Sequence, residues 1–180
     1  MKTPMESFLN LASHRYSVRK FGDKPIDKNT LDLILEAGRI APTACNFQPQ
    51  RILVIESDEA LAKVKNCTAC HFDAPLVLLV CYDQSASWKR KYDGTDGGPV
   101  DASIVTTQMM LQAFELGVGS TWVGSFDPLK VRKLFKLPEN YVPIALLPLG
   151  WPAVDATPSP SHAKREPLGM TVFYNEFPEQ

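Results

Sequence analysis

The stretch Arg15-Tyr16-Ser17-Val18-Arg19-Lys20-Phe21 sets two guanidiniums on either side of a hydroxyl. Side chains of an extended segment alternate, so Arg15, Ser17 and Arg19 project one way and Tyr16 and Val18 the other. The three polar groups span about 13 Å, roughly a mononucleotide from phosphate to ring. Arg holds phosphate oxygens bidentately, each charge-assisted bond contributing about 1.5–3 kcal/mol net. A solvated basic edge strand would carry the same pattern. Two more cations, Lys164 and Arg165, come late in the chain. Between prolines lies Pro42-Thr43-Ala44-Cys45-Asn46-Phe47-Gln48-Pro49-Gln50, either a stiff loop of hydrogen-bonding groups or a plain connector. A site of cations, a hydroxyl and amides leaves the chemistry to a bound cofactor.

Other chemistries lack their residues. There is no G-x-S-x-G elbow and no P-loop, and Gly117, Gly119 and Gly124 miss the dinucleotide-binding spacing. Cys67-Thr68-Ala69-Cys70-His71 matches the c-type haem attachment pattern, but covalent haem normally needs export. A redox dithiol, a metal site and packed free thiols are the other readings of this pair. Three histidines and no second cysteine pair at zinc spacing disfavour structural zinc.

These groups need elements to position them. With 180 residues there is room for one domain of good size. A net charge of -1 gives no overall basic field for nucleic acid. The first twenty residues lack the apolar run of a secretory signal, which points to the cytoplasm. The central feature is Pro99 to Val118, with Asp101, Gln108, Gln112 and Glu115 on one thin polar stripe. Ile104, Leu111 and Phe114 make one apolar face and Met109, Met110, Ala113 and Leu116 another. Such a helix is expected to be buried by its own domain on one side and by a second copy on the other. Its polar side chains argue against lipid.

Around it the sequence predicts a first helix over Glu6 to Ala12 and a second, capped by Asp27, ending near Ala41. A strand at Ile52 to Ile55, a helix capped by Ser57 and a central strand at Leu76 to Cys81 follow. Residues 84–98 read as a mobile lid or a plain surface loop. Gly117 to Gly124 is a Gly-punctuated strand, Asp127 caps a helix, and Pro143 and Pro148 put the strand Tyr141 to Gly150 near an edge or bend it.

The stretches R-x-S-x-R-x-F (Arg15 to Phe21), A-P-T-A-C-N-F-Q-P (Ala41 to Pro49), G-x-G-S-T-W-V-G (Gly117 to Gly124) and the late Lys164-Arg165-Glu166-Pro167-Leu168 occur in one order. In that order, over Ser7 to Phe177, the chain resembles the FMN-dependent nitroreductase family in its short-chain branch. The resemblance implies an α+β fold, with a mixed central sheet flanked by helices around a long buried helix. It implies a single domain over 1–180 whose extension, about 153–180, packs on a partner subunit of a homodimer. Arg15 and Ser17 would hold the FMN phosphate with Arg165 and Lys164, and Arg19 would approach the pyrimidine. Pro42, Thr43, Ala44 and Asn46 would reach the flavin of the other subunit, and the backbone at Val123 and Gly124 would face the ring edge. Tyr16 and Gln48 complete the expected set. The activity implied is ping-pong transfer from NAD(P)H through the flavin to a small acceptor such as a nitroaromatic or quinone. A flavin-binding module without turnover, a carrier or sensor, is the alternative.

Overall fold

A computed structural model describes residues 4–178. The chain runs through α1 (Pro4–His14), α2 (Lys28–Arg39), a 3-10 turn (Ala44–Asn46), β1 (Gln50–Ile55), α3 (Asp58–Cys67) and β2 (Leu76–Asp83). It continues through α4 (Gly98–Glu115), β3 (Gly119–Ser120), α5 (Pro128–Leu134), β4 (Tyr141–Gly150) and a 3-10 turn (Leu168–Met170). The single domain expected over 1–180 thus extends beyond the described residues at both ends. The predicted N-caps are in place. Asp27 accepts from Thr30 N (3.0 Å), Ser57 from Ala60 N (3.3 Å), and Asp127 from Leu129 N and Lys130 N (both 3.0 Å). Each satisfies amides that a helix start leaves without partners.

The strands pair in the order β1-β2-β4-β3. The ladders between them are antiparallel, and the parallel pairing that makes the arrangement mixed is a single bridge, Ser17 with Ser120. β2 lies in the interior and is buried at every position, as its unbroken apolar run requires. The pleat divides it: Leu76, Leu78, Val80 and Tyr82 face α2 and α4, while Val77, Leu79 and Cys81 face the layer that holds Val64 of α3 and Val131 of α5. The two helical layers therefore share one sheet, which is the α+β arrangement expected.

β4 lies between β2 and β3 rather than at an edge, and its ladder is irregular beside Pro143. Val80 pairs with Ala145 and Cys81 with Pro143, leaving Ile144 as an extra residue. The bulge reverses the alternation. Leu149 and Leu147 lie on the α2/α4 side, and beyond the bulge Ile144 and Val142 take over that side.

α4 turns Ala102, Val105, Met109 and Ala113 into the core, all with no solvent exposure. It crosses α2 at Gly38, where a Cβ would stand 2.8 Å from Met109. The predicted polar stripe needs one correction: Asp101 is buried, because its Oδ1 accepts from Ala44 N (2.9 Å). On the opposite side Val100 and Ile104 stay exposed, and with Phe8 and Leu111 they line an open apolar groove of about 680 Å³.

The segment 84–98 is anchored at Asp96. Asp96 accepts from Ser87 Oγ (2.6 Å), Lys89 Nζ (2.6 Å), Gly98 N (2.8 Å) and Tyr82 OH (3.1 Å). Burial opposes ionisation of Asp96, but these bonds outweigh it and bring its pKa down to about 2. A carboxylate depressed in this way contributes stability that is full above its ordinary value and lost as pH falls through the folded value. The fluorescence of Trp88, which packs on Gly97, should therefore change as pH falls from about 4 to about 2. Asp96→Asn should bring the altered signal to neutral pH; a Trp88 signal indifferent to both would contradict the anchor.

Candidate cofactor site

α1 ends at His14, and the chain then runs extended along the β3 edge. Val18 N donates to Ser120 O (3.0 Å), Gly22 N to Trp151 O (2.8 Å), and Thr121 Oγ1 donates to Val18 O. Val18 is buried against Gly119, where a Cβ would lie 2.8 Å from its side chain. Only glycine at 119 lets the segment approach so closely. With Val18 turned inward, Ser17 and Arg19 line a cleft of about 310 Å³ whose far wall is Asp155 to Pro160.

Arg15 is half-buried, and its Nη1 is fully buried with no hydrogen-bond partner. Burial, and then the like charge of Arg165, lower its pKa. Arg165 is held from behind, its Nη1 donating to His162 O (2.6 Å) and Lys164 O (2.7 Å). Tyr16 clips the tail in place, its ring edge-on to His162 (centroids 6.2 Å) and its hydroxyl donating to Ala156 O (3.4 Å). Beside Ser17, the Ser120 Oγ is also buried without a partner. Among the described residues no carboxylate pairs with Arg15, Arg19, Lys164 or Arg165. The like charges of Arg15 and Arg165, together with unpartnered buried donors on Arg15 and Ser120, are a combination suited to an anion.

Val123 and Gly124 lie three and four residues along the same edge, about 10–13 Å from Ser120. Val123 N and O are both taken by Leu146 (2.9 and 3.0 Å), so the exposed Gly124 is left to face outward. Pro42, Thr43, Ala44, Asn46 and Gln48 are elsewhere. Ser120 sits level with Leu149 and Leu76, whereas Gln50, at the end of their loop, sits level with Tyr82. Six residues along the strands and three strand spacings across put the two groups at opposite corners, about 20 Å by about 14 Å apart.

The nitroreductase family model matches residues 12–75 and 69–151. The chain belongs to the nitroreductase family. A nitroreductase family protein from Clostridium difficile has the same fold at TM-score 0.88 and 42% identity, covering 94% of this chain and 99% of that one. A protein of Methanothermobacter thermautotrophicus assigned as an NADH dehydrogenase/NAD(P)H nitroreductase is 33% identical over 77% of this chain and 74% of its own. A protein from Desulfovibrio desulfuricans assigned as a nitroreductase and solved in complex with FMN matches at TM-score 0.80 and 26% identity, over 99% of this chain and 100% of that one.

In this member of the family, several groups near the expected site were not singled out from the sequence. The hydroxyls of Ser120 and Thr121 stand inside a quoted motif, and their apposition to Ser17 and Val18 comes only with the bridge. In the Cys67-Cys70-His71 stretch both thiols are free, Cys67 is buried and donates to Lys63 O (3.2 Å), and burial raises its pKa. Among the described residues no cluster of three His, Cys, Asp or Glu could hold a metal. Nor is any described helix long and apolar enough to cross a membrane.

Proposed function

We propose that this member of the family is an FMN-dependent NAD(P)H oxidoreductase that passes electrons to a small acceptor such as a nitroaromatic or quinone. The observation that carries the reading is the half-buried Arg15, whose Nη1 is fully buried without a partner and whose charge is opposed by that of Arg165. That arrangement is costly for the chain alone and fits a phosphate dianion. The Desulfovibrio protein's complex with FMN supports the cofactor. A Staphylococcus aureus NADPH-dependent oxidoreductase, 27% identical over 81% of this chain and 65% of its own, supports the reductant.

Bound FMN would supply the redox chemistry, taking two electrons from a reduced nicotinamide and giving them to an acceptor in alternate half-reactions. The chain's residues would bind and orient it. Arg15 and Arg165, with Lys164 beside them, grip the phosphate, and the hydroxyls of Ser17 and Ser120 donate to it. Tyr16 keeps Arg165 in place through the tail. Gly124 lies toward the ring edge, and Pro42, Thr43, Ala44, Asn46 and Gln48 of a second copy form the opposite wall.

Arg19 is exposed and its Nη1 donates to Ser17 O (3.3 Å), a weak tether that leaves the charge available to the pyrimidine side. A cation there stabilises the negative charge that reduction places on the ring. Arg19→Ala should lower the flavin midpoint potential by about 30 mV for each 1.4 kcal/mol of lost stabilisation. An unchanged potential with FMN fully bound would remove Arg19 from the ring.

The reading as a whole is tested by the visible spectrum of the purified protein. A yellow protein bleached by NADH or NADPH without oxygen is expected. A protein that takes up no FMN would overturn it, and bound FMN that neither nicotinamide bleaches would point to a flavin module without turnover.

A further inference from the structure

The loop from Pro42 to Gln50 holds three side-chain-bearing residues in left-handed backbone: Cys45 (φ 51), Asn46 (φ 56) and Gln48 (φ 51). Of the three only Asn tolerates that region readily. Such strain persists where surrounding structure over-determines it, so the groups that hold the loop are informative.

Inside the loop, Gln48 N donates to Thr43 Oγ1 (3.1 Å) and Asn46 N to Thr43 O (2.9 Å). Two anchors come from outside. At its start, Ala44 N donates to Asp101 Oδ1 (2.9 Å). Asp101 is 2% exposed, and its Oδ2 is buried with no partner. A carboxylate kept in the core with one oxygen unsatisfied is a poor packing choice, and an apolar residue there would remove the desolvation cost. At the loop's end, Arg51 Nη1 donates to Gln48 O (3.2 Å) and Gln50 O (2.9 Å), its Nη2 to Asp83 Oδ2 (3.2 Å) and its Nε to Tyr141 OH (3.3 Å). Asp83 is itself fixed, accepting from Ser85 Oγ (2.6 Å) and Asn140 Nδ2 (2.7 Å), and these bonds hold its pKa below the ordinary carboxylate value. The strained loop is thus strung between the first turns of α4 and a polar cluster at the end of β2.

We infer that Asp101 and Arg51 are positioning residues that hold this loop preformed for the flavin, an inference that rests on the reading above. Neither need touch the cofactor. They maintain, in the absence of any ligand, the backbone that Pro42, Thr43, Ala44, Asn46 and Gln48 present, so that binding does not have to order it.

The test compares wild type, Asp101→Asn, Asp101→Ala and Arg51→Met by FMN titration of the full-length protein and by amide exchange of the apoprotein. Asn keeps an acceptor for Ala44 N, and its variant is expected to retain wild-type FMN affinity. Asp101→Ala and Arg51→Met should each weaken FMN at least about tenfold. In the apoprotein the Ala44 and Gln48 amides should be protected in wild type and in Asp101→Asn. Asp101→Ala should expose both, Gln48 included, although its own partner Thr43 is untouched. Wild-type affinity in Asp101→Ala or Arg51→Met would overturn the inference, as would Asp101→Asn behaving like Asp101→Ala. An Ala44 amide unprotected in the wild type would do so even if Asp101→Ala does not fold. If the wild type takes up no FMN, the flavin reading fails. Asp101-dependent protection of Ala44 and Gln48 would then still support the anchors, because that readout needs no cofactor.

Discussion

Arg15→Ala should weaken FMN binding by about 2 kcal/mol or more and leave riboflavin, which lacks the phosphate, nearly unaffected. The expectation has two sides. In the bound state Arg15 and Arg165 would share one dianion, and removing either leaves phosphate oxygens without a charged donor. In the unbound state Arg15 is a liability, with its Nη1 buried without a partner and its charge opposed by Arg165. The apoprotein should therefore lose little stability on the substitution, or gain some, while the FMN complex loses much. A residue serving only the fold would move both in the same direction. Titration of FMN and of riboflavin, with thermal unfolding of the apoprotein, separates the cases. Equal losses for the two ligands, or a parallel loss of apoprotein stability, would contradict the phosphate assignment.

How far the sequence led depends on the range of the interactions concerned. The caps at Asp27, Ser57 and Asp127 depend on amides two or three residues away, and the pattern foretold them. The apolar run of β2 foretold its interior position for a similar reason, since burial on both faces leaves no polar position in the run. The alternation of Arg15, Ser17 and Arg19 placed Ser17 and Arg19 along one cleft because a strand's period is local. What escaped was set by distant partners. Asp101 reads as part of a solvent stripe with Gln108, Gln112 and Glu115, and it is buried because Ala44, 57 residues away, supplies its donor. Arg51 reads as the residue before a strand, and its role needs Asp83 and Tyr141 beside it. Pro143 and Pro148 suggested an edge or a bend, and the choice lay with Ile144, whose extra place in the ladder no periodicity marks. Neither period nor turn chemistry joins the loop to the arginines; the expectation that they belong to one site comes from the resemblance alone.

Ile104→Arg should abolish both dimerisation and FMN binding while leaving the chain folded. Ile104 is 38% exposed on the open side of α4, so a charge there costs the isolated chain little. The same residue lines the apolar groove with Phe8 (58% exposed) and Val100 (61% exposed), a run of side chains that one chain leaves in water. The proposed site also has its two halves at opposite corners of the sheet. A two-fold axis near the middle of α4 would satisfy both conditions, because an isologous contact covers the groove with its own copy and brings each corner to the other's counterpart. The tail offers more surface to exchange, with Leu168, Met170, Tyr174 and Phe177 all more than half exposed. An obligate interface of this kind should bury about 2,000 Å² or more, and cofactor binding and association would then be linked. Sedimentation of wild type and Ile104→Arg, each titrated with FMN, decides it. A dimeric wild type and a folded, colourless monomeric variant are expected, and a monomeric variant that binds FMN as tightly as wild type would sink the shared site.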